Sequence, residues 1–147
     1  MNKKVVLENE VMTSWVALHR AHRMLFEQVE TNLKLNKLPS IDWYDVLLEL
    51  NRDKNNGLRQ YEIGQKILLN KHNLSRLIDR LQNKQLVIRK ACKEDKRGNR
   101  ILITDKGIEL LKKIWPFYSQ SIKEGFSDKL EKKEFIELTR ILNKLFS

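Results

Sequence analysis

The stretch Asn70-Lys71-His72-Asn73-Leu74-Ser75-Arg76-Leu77-Ile78-Asp79-Arg80-Leu81 spaces its apolar residues Leu74, Leu77, Ile78 and Leu81 at steps of three, one and three. That rhythm predicts a helix with one buried stripe, and Asn70 is a good N-cap for it. Lys71, His72, Asn73, Ser75, Arg76 and Arg80 fall largely off the stripe, which leaves a face of donors and cations turned away from any core. Just upstream, about Gln60 to Leu68, a shorter helical pattern turns Ile63 and Ile67 inward, with Leu58 beside them. Two helices separated by a turn of three to four residues form a helix-turn-helix. After Leu86 the period changes: Val87 to Cys92 and Arg100 to Thr104 read as two strands. The polar segment Lys93 to Asn99, which contains Gly98-Asn99, reads as the turn of a β-hairpin with a cationic tip. A hairpin after the second helix is a wing, so Leu58 to Asp105 is predicted to be a winged helix-turn-helix. In such a unit the N-terminal part of the second helix meets base edges in the major groove of double-stranded DNA. Arg76 and Arg80 suit phosphates or guanine edges, and an arginine at the wing tip suits a narrow minor groove.

Outward from this unit the chain is helical. Val11, Trp15, Leu18, Leu25 and Val29, with His22 filling the missing step, predict an amphipathic helix from near Val5 to Leu33. It is longer than a small core requires. Pro39 discourages helix before it, Ser40 can cap a helix Ile41 to Asn51 through its hydroxyl, and Asp53 to Gly57 is a turn by composition. Thr104 can cap a helix from Asp105 to about Gly125 that carries Ile108, Leu111, Ile114 and Trp115, with a kink at Pro116. A last helix from about Lys132 to Leu145 places Phe135, Leu138, Ile141, Leu142 and Leu145 on one stripe. The expected fold is mainly α, an α+β winged helix-turn-helix flanked by N- and C-terminal dimerisation helices. Residues 1–38 and 105–147 form the helical dimerisation region and 39–104 the DNA-binding region of one intertwined domain. A helix at each end with a spare apolar face favours exchange of contacts between two copies, a homodimer, over packing within the chain.

Composition agrees with this frame. The chain has 147 residues, 41% of them hydrophobic, enough for one ordinary core. Lys and Arg total 29 against 19 Asp and Glu, for a formal charge of +10 and a pI near 9.8. Such an excess attracts polyanions, nucleic acid first, although anionic membrane surfaces and acidic proteins would also be drawn in. Charge alone also suits a lysine-rich chain that is merely soluble. No apolar run approaches the length of a membrane span, and the N-terminal apolar stretch is too short for a signal peptide. A cytoplasmic protein without membrane contact is expected. The single cysteine, Cys92, allows no internal disulfide. His19 and His22 share a helix face at a spacing that could serve a metal, but no cysteine or carboxylate cluster completes a site. No phosphate-cradling glycine loop or nucleophile elbow occurs, so no catalytic residue, metal or cofactor is expected.

The run Asn70 to Leu81, then Leu86-Val87, Asp95-Lys96-Arg97 and Leu102-Ile103-Thr104-Asp105-Lys106-Gly107, resembles the MarR family of bacterial transcription regulators. The likeness reaches across nearly the whole chain. In that family the recognition helix ends in a pattern like Ser/Thr-Arg-Leu-(Val/Ile)-Asp-Arg-Leu, and an Asp-x-Arg pair marks the wing. The resemblance implies a homodimer on a pseudo-palindromic operator, usually as a repressor. It puts Lys71, His72, Asn73, Ser75 and Arg76 on recognition-helix contact positions and Asp95 and Arg97 on the wing pair, the arginine in the minor groove and the aspartate orienting it. A guanidinium held by a carboxylate loses less freedom on binding than a loose lysine. It also implies a small aromatic or anionic effector between the dimerisation helices and the winged helix, where Trp15, His19, His22, Trp43, Tyr44 and Trp115 are candidate walls. Their default role is core packing. Cys92 lies in a wing strand rather than at the N-terminal position of the family's peroxide sensors, so a redox role is not expected. Two positions depart from the family pattern. Gln85 stands where a glycine usually ends the recognition helix, which either costs roughly 1 kcal/mol or shifts the helix end. Glu131 replaces the usual Ser or Thr at the cap of the last helix, with Glu134 kept three residues on. A sequence-tolerant architectural DNA-binding protein and a protein-interaction or antirepressor module on the same fold are the alternative classes.

Overall fold

The computed structural model describes residues 3–67, 71–91 and 99–146. In chain order they form α1 (Asn9–Leu35), α2 (Ile41–Arg52), β1 (Leu58–Arg59), α3 (Gln60–Lys66), α4 (Lys71–Asn83), β2 (Val87–Ala91), β3 (Asn99–Ile103), α5 (Asp105–Gly125) and α6 (Lys132–Asn143). Short 3-10 turns follow α5 and α6, at Ser127–Lys129 and Lys144–Phe146. Two compact units share the chain: Leu33–Tyr118, and Met1–Asn32 with Ser119–Ser147.

The first unit holds every buried apolar side chain among the described residues. Leu47 and Leu50 of α2, Ile63 of α3, Ile78 and Leu81 of α4, Ile101 of β3 and Ile114 of α5 are fully enclosed, so all the elements of the helix-turn-helix share one core. The sheet has three strands in the order β1-β3-β2, all antiparallel. The sequence reading had two strands and left Leu58 beside a helix. The third strand is only two residues long, too short to show a period of two, and it exists because Leu58 and Arg59 pair with Ile101 and Arg100. Gly57 makes the pairing possible. Its φ is +68°, and a Cβ there would stand 2.4 Å from the Ile101 carbonyl oxygen.

Several boundaries also move. α1 begins at Asn9, leaving Val5, Val6 and Leu7 exposed ahead of it, and runs on to Leu35. α2 extends one residue, to Arg52. Ser40 stands at its N-cap position, but no side-chain capping bond forms, contrary to the expected hydroxyl cap. α3 stops at Lys66, because Ile67 is already extended, with φ −117° and ψ 148°. Its start is fixed instead by Glu62, whose Oε1 accepts the Arg59 backbone N–H at 2.9 Å. Leu68, Asn70 and Cys92, which entered the sequence reading, lie outside the described residues.

Two helices end in the same way without glycine. After α1, Lys37 takes φ 57°, its N–H bonds to the Lys34 carbonyl, and the Leu38 N–H reaches back to the Leu33 carbonyl. After α4, Gln85 takes φ 62°, with the matching bonds from Gln85 to Gln82 and from Leu86 to Leu81. Both are Schellman motifs, and in both the apolar pair that closes the motif, Leu33 with Leu38 and Leu81 with Leu86, is buried. Gln85 therefore does not displace the helix end. Thr104 caps α5 as expected, its Oγ1 accepting the Gly107 N–H at 3.1 Å, and it also donates to the Gln85 carbonyl at 2.7 Å.

The second unit is helical and has no buried core residue among those described. Asn32 Nδ2 donates to Ser121 Oγ at 2.9 Å, and the Phe126 and Phe135 rings meet at 4.9 Å. α5 continues through Pro116 without a break. α6 starts as expected at Lys132, with Glu134 Oε1 accepting the Glu131 N–H at 2.9 Å, but ends at Asn143, and the chain tightens to 3-10 geometry before Leu145.

Candidate nucleic-acid interface

α4 divides its two faces cleanly. Leu74, Leu77, Ile78 and Leu81 are buried, while His72, Asn73, Arg76, Asp79 and Arg80 are exposed and Ser75 is half-buried. The helix has no carboxylate in its first turn. The positive end of its dipole therefore meets no counter-charge from its own first turn, which suits an approaching polyanion.

Beside this face the start of α2 forms one wall of a groove of about 320 Å³. Ser40, Asp42 and Trp43 line that wall, and Asn73, Arg76 and Arg80 line the other. Trp43, a candidate effector wall in the sequence reading, thus stands with the reading residues. The side chain of Lys71, and all of Asp95 and Arg97, lie outside what is described.

One residue that shapes the site escaped the sequence reading. Arg89 of β2 donates through Nη2 to Asp79 Oδ1 at 2.7 Å and through Nη1 to Gln82 Oε1, so the first wing strand is fastened to the exposed side of α4. A signal was present. In β2 the alternation puts Arg89 on the same side as buried Val87, and a cation on the inward side of a strand needs a partner.

The remaining effector candidates fall into two sets. Tyr44 and Trp115 stack with ring centroids 6.3 Å apart, and Tyr118, which the sequence reading did not single out, meets them edge-on at 5.2 and 5.9 Å. Burial raises the pKa of both tyrosines, and the Asp45 carboxylate raises it further. Trp15, His19 and His22 instead lie along α1, where Trp15 and His19 pack at 4.3 Å and His22 lies 6.0 Å from Phe26. With Arg20 and Arg23, Trp15 and His19 border a shallow hollow of about 380 Å³ on that single helix. Among the described residues no three His, Cys, Asp or Glu side chains gather where a metal ion could be held, and no helix is long and apolar enough to cross a membrane.

A three-helix core carrying an outward polar helix, followed by a strand pair fastened to that helix, defines a winged helix-turn-helix of the DNA-binding regulator class. Comparison with known proteins specifies it further. A family model described as MarR family matches residues 37–98. The HTH-type transcriptional regulator MhqR of Bacillus subtilis (strain 168) is 34% identical over 113 residues, which are 77% of this chain and 76% of that protein. The chain belongs to the MarR family, a family of transcription regulators. The fold agrees throughout: the crystal structure of AbsC, a MarR family transcriptional regulator from Streptomyces coelicolor, superposes with a TM-score of 0.87 at 26% identity, covering 97% of this chain and 95% of the other. A second MarR family regulator from Streptomyces coelicolor, crystallised in complex with DNA, shares the fold with a TM-score of 0.89 at 23% identity, covering 99% and 91%.

Proposed function

We propose that the protein is a cytoplasmic, homodimeric, sequence-specific repressor that binds a pseudo-palindromic operator. Two copies of α4 enter successive major grooves about one helical turn apart, ~34 Å. The observation that carries this reading is the two-faced α4, with a wholly buried apolar stripe and an exposed Asn73, Arg76 and Arg80 opening on the groove beside α2. His72, Asn73 and Ser75, with Lys71, stand near the helix N-terminus, the part that meets base edges in this architecture. Arg76 and Arg80, on the following turns, take guanine edges or phosphates. In the wing, Arg97 enters the minor groove and Asp95 orients it. The DNA complex of the Streptomyces coelicolor regulator supports the assignment of this fold to duplex DNA.

Dimerisation is supported by the second unit, whose helices leave large apolar side chains uncovered: Trp15 is 58%, Ile141 47% and Leu145 68% exposed. We include in the same reading a small aromatic or anionic effector, for which the half-exposed Trp115 ring, backed by buried Tyr44, is the candidate stacking surface. Such a molecule acts by favouring one spacing of the two α4 helices over another.

Selection of bound sites from random duplexes tests the proposal. A palindromic motif is expected, and Arg97→Ala should weaken binding to it. Equal binding to random and selected duplexes at one salt concentration would identify an architectural protein, and no DNA binding at physiological salt a protein-interaction module.

A further inference from the structure

The reading helix meets the helix that follows the wing at a single hydroxyl. Thr104 Oγ1 donates to the Gln85 carbonyl, just past the end of α4, at 2.7 Å, and accepts the Gly107 N–H in the first turn of α5 at 3.1 Å. The Thr104 backbone N–H bonds to the next carbonyl, that of Leu86, at 3.0 Å. Gly107 lets α5 lie close enough for these bonds, since a Cβ there would stand 2.4 Å from the same Leu86 oxygen. Two successive carbonyls beyond α4 are thus taken by Thr104. Ending the helix does not require the hydroxyl. The same backbone bonds and a buried leucine pair end α1 at Lys37, φ 57°, whose carbonyl takes no bond from a described side chain. What the hydroxyl adds after α4 is a tie between two helices.

Such a tie matters most for α4. Its buried stripe of Leu74, Leu77, Ile78 and Leu81 decides which face turns inward, but burial is non-directional and leaves latitude in the angle of the axis. Hydrogen bonds are directional. They hold this helix at two places: at Asp79 and Gln82, bound by Arg89 of β2, and at Gln85, bound by Thr104. One anchor leaves a helix free to pivot about it, whereas two fix its line. Both anchors lie toward the C-terminal end, so the reading residues ride on the far arm of a lever. At 1.5 Å per residue His72 stands about 20 Å from Gln85, and a tilt of about 5° displaces it by about 1.7 Å. A base-edge hydrogen bond is kept only over a range of about 0.5 Å.

We propose that Thr104 is a positioning residue for base recognition. Its hydroxyl locks the end of α4 to the start of α5, so that the reading face meets the bases at one angle, and Thr104 itself touches no DNA. This rests on the DNA-binding reading above. Discrimination between sequences depends on the lock, while phosphate contacts, which are alike at every step, tolerate its loss.

The test titrates the full-length chain, at one salt concentration, against the duplex recovered by selection and against a random duplex. In Thr104→Asp/Asp105→Asn the net charge is unchanged and the new side chain still caps α5, but an ionised carboxylate has no proton to give the Gln85 carbonyl. Affinity for the selected duplex is expected to fall at least about fivefold, the effect of one lost base-edge contact, with random-duplex binding unchanged. Thr104→Ser, which keeps both bonds, should keep the wild-type ratio of the two affinities. Thr104→Val loses the cap as well; it should show the same fall in the ratio together with a lower melting temperature, and it decides the matter if the double variant does not fold. Variants that keep the wild-type ratio overturn the proposal and leave the DNA-binding reading standing. A parallel loss on both duplexes overturns it too, since that marks a residue that only stabilises the fold. A wild-type chain that prefers neither duplex, or binds neither, overturns the proposal and the sequence-specific reading together.

Discussion

Gln85 holds a backbone conformation that disfavours every side chain with a Cβ, and it does so where the recognition helix hands over to the wing. Its φ of 62° is enforced from both sides: Leu86 and Leu81 close the Schellman motif below it, and the Thr104 hydroxyl takes its carbonyl oxygen from the next helix. The left-handed conformation was readable in the sequence as a position where glycine is usual. Whether the chain would absorb the strain or move the helix end was not readable, because Thr104 lies 19 residues away. Since the geometry is kept, Gln85→Gly should stabilise the protein by about 1 kcal/mol, seen as a higher urea midpoint at unchanged slope. A lower midpoint would show that the Gln85 side chain contributes more than its backbone costs. Gly107 is a second constrained residue. A Cβ there would stand 2.4 Å from the Leu86 carbonyl oxygen, so α5 can leave the sheet this closely only with glycine at that position.

At the level of elements, the fastening of β2 to α4 makes the reading helix and the wing one body. Asp79 belongs to a motif that was evident in the sequence, yet its partner was not, since Arg89 looked like any alternating strand residue until the sheet placed it beside α4. The pair is partly exposed, so a double-mutant cycle with Asp79→Ala and Arg89→Ala should give a coupling of about 0.5–1 kcal/mol in stability. In a DNA titration, each single variant should lose affinity as much as the double variant does. Strictly additive losses in affinity would mean that the two residues act separately on DNA. The aromatic set on α2 and α5 supplies a pH dependence. Burial, then Asp45, raises the pKa of Tyr44 and Tyr118 above the ordinary 10.0, so the folded state holds these protons more tightly than the unfolded chain. Their contribution to stability is complete below pH ~10 and is lost as pH rises through the folded-state values. Tyr118→Phe should therefore flatten the fall in urea midpoint above pH ~10 while changing it little near pH 7; an unchanged alkaline slope would remove Tyr118 from the account.

For the whole molecule, the decisive contrast is that, among the described residues, Leu33–Tyr118 contains a closed core and the two ends of the chain do not. No described residue of α6 is fully buried, Phe135, Leu138 and Leu142 being only half-covered, and on the proposed dimer reading the exposed Ile141 and Leu145 are the place where a second copy supplies cover. The melting temperature should then rise with protein concentration, and sedimentation should show a dimer at micromolar concentrations. Ile141→Glu/Leu145→Glu should give a monomer whose DNA affinity is at least about tenfold lower, because one half-site is lost. A wild-type monomer with a concentration-independent melting temperature would refute the dimer. The sequence alone determined what has a local cause: the stripe of α4 from a period near 3.6, the strands β2 and β3 from alternation, the cap at Thr104, and the polar residues off the stripe. Tertiary structure alone decided what depends on residues far apart in the chain. Two residues at Leu58–Arg59 become a strand only when Ile101 and Arg100 lie beside them. Arg89 gains a role only when Asp79 comes within 2.7 Å. A period is written into neighbouring residues, whereas register is settled by the packing of segments that the sequence keeps apart.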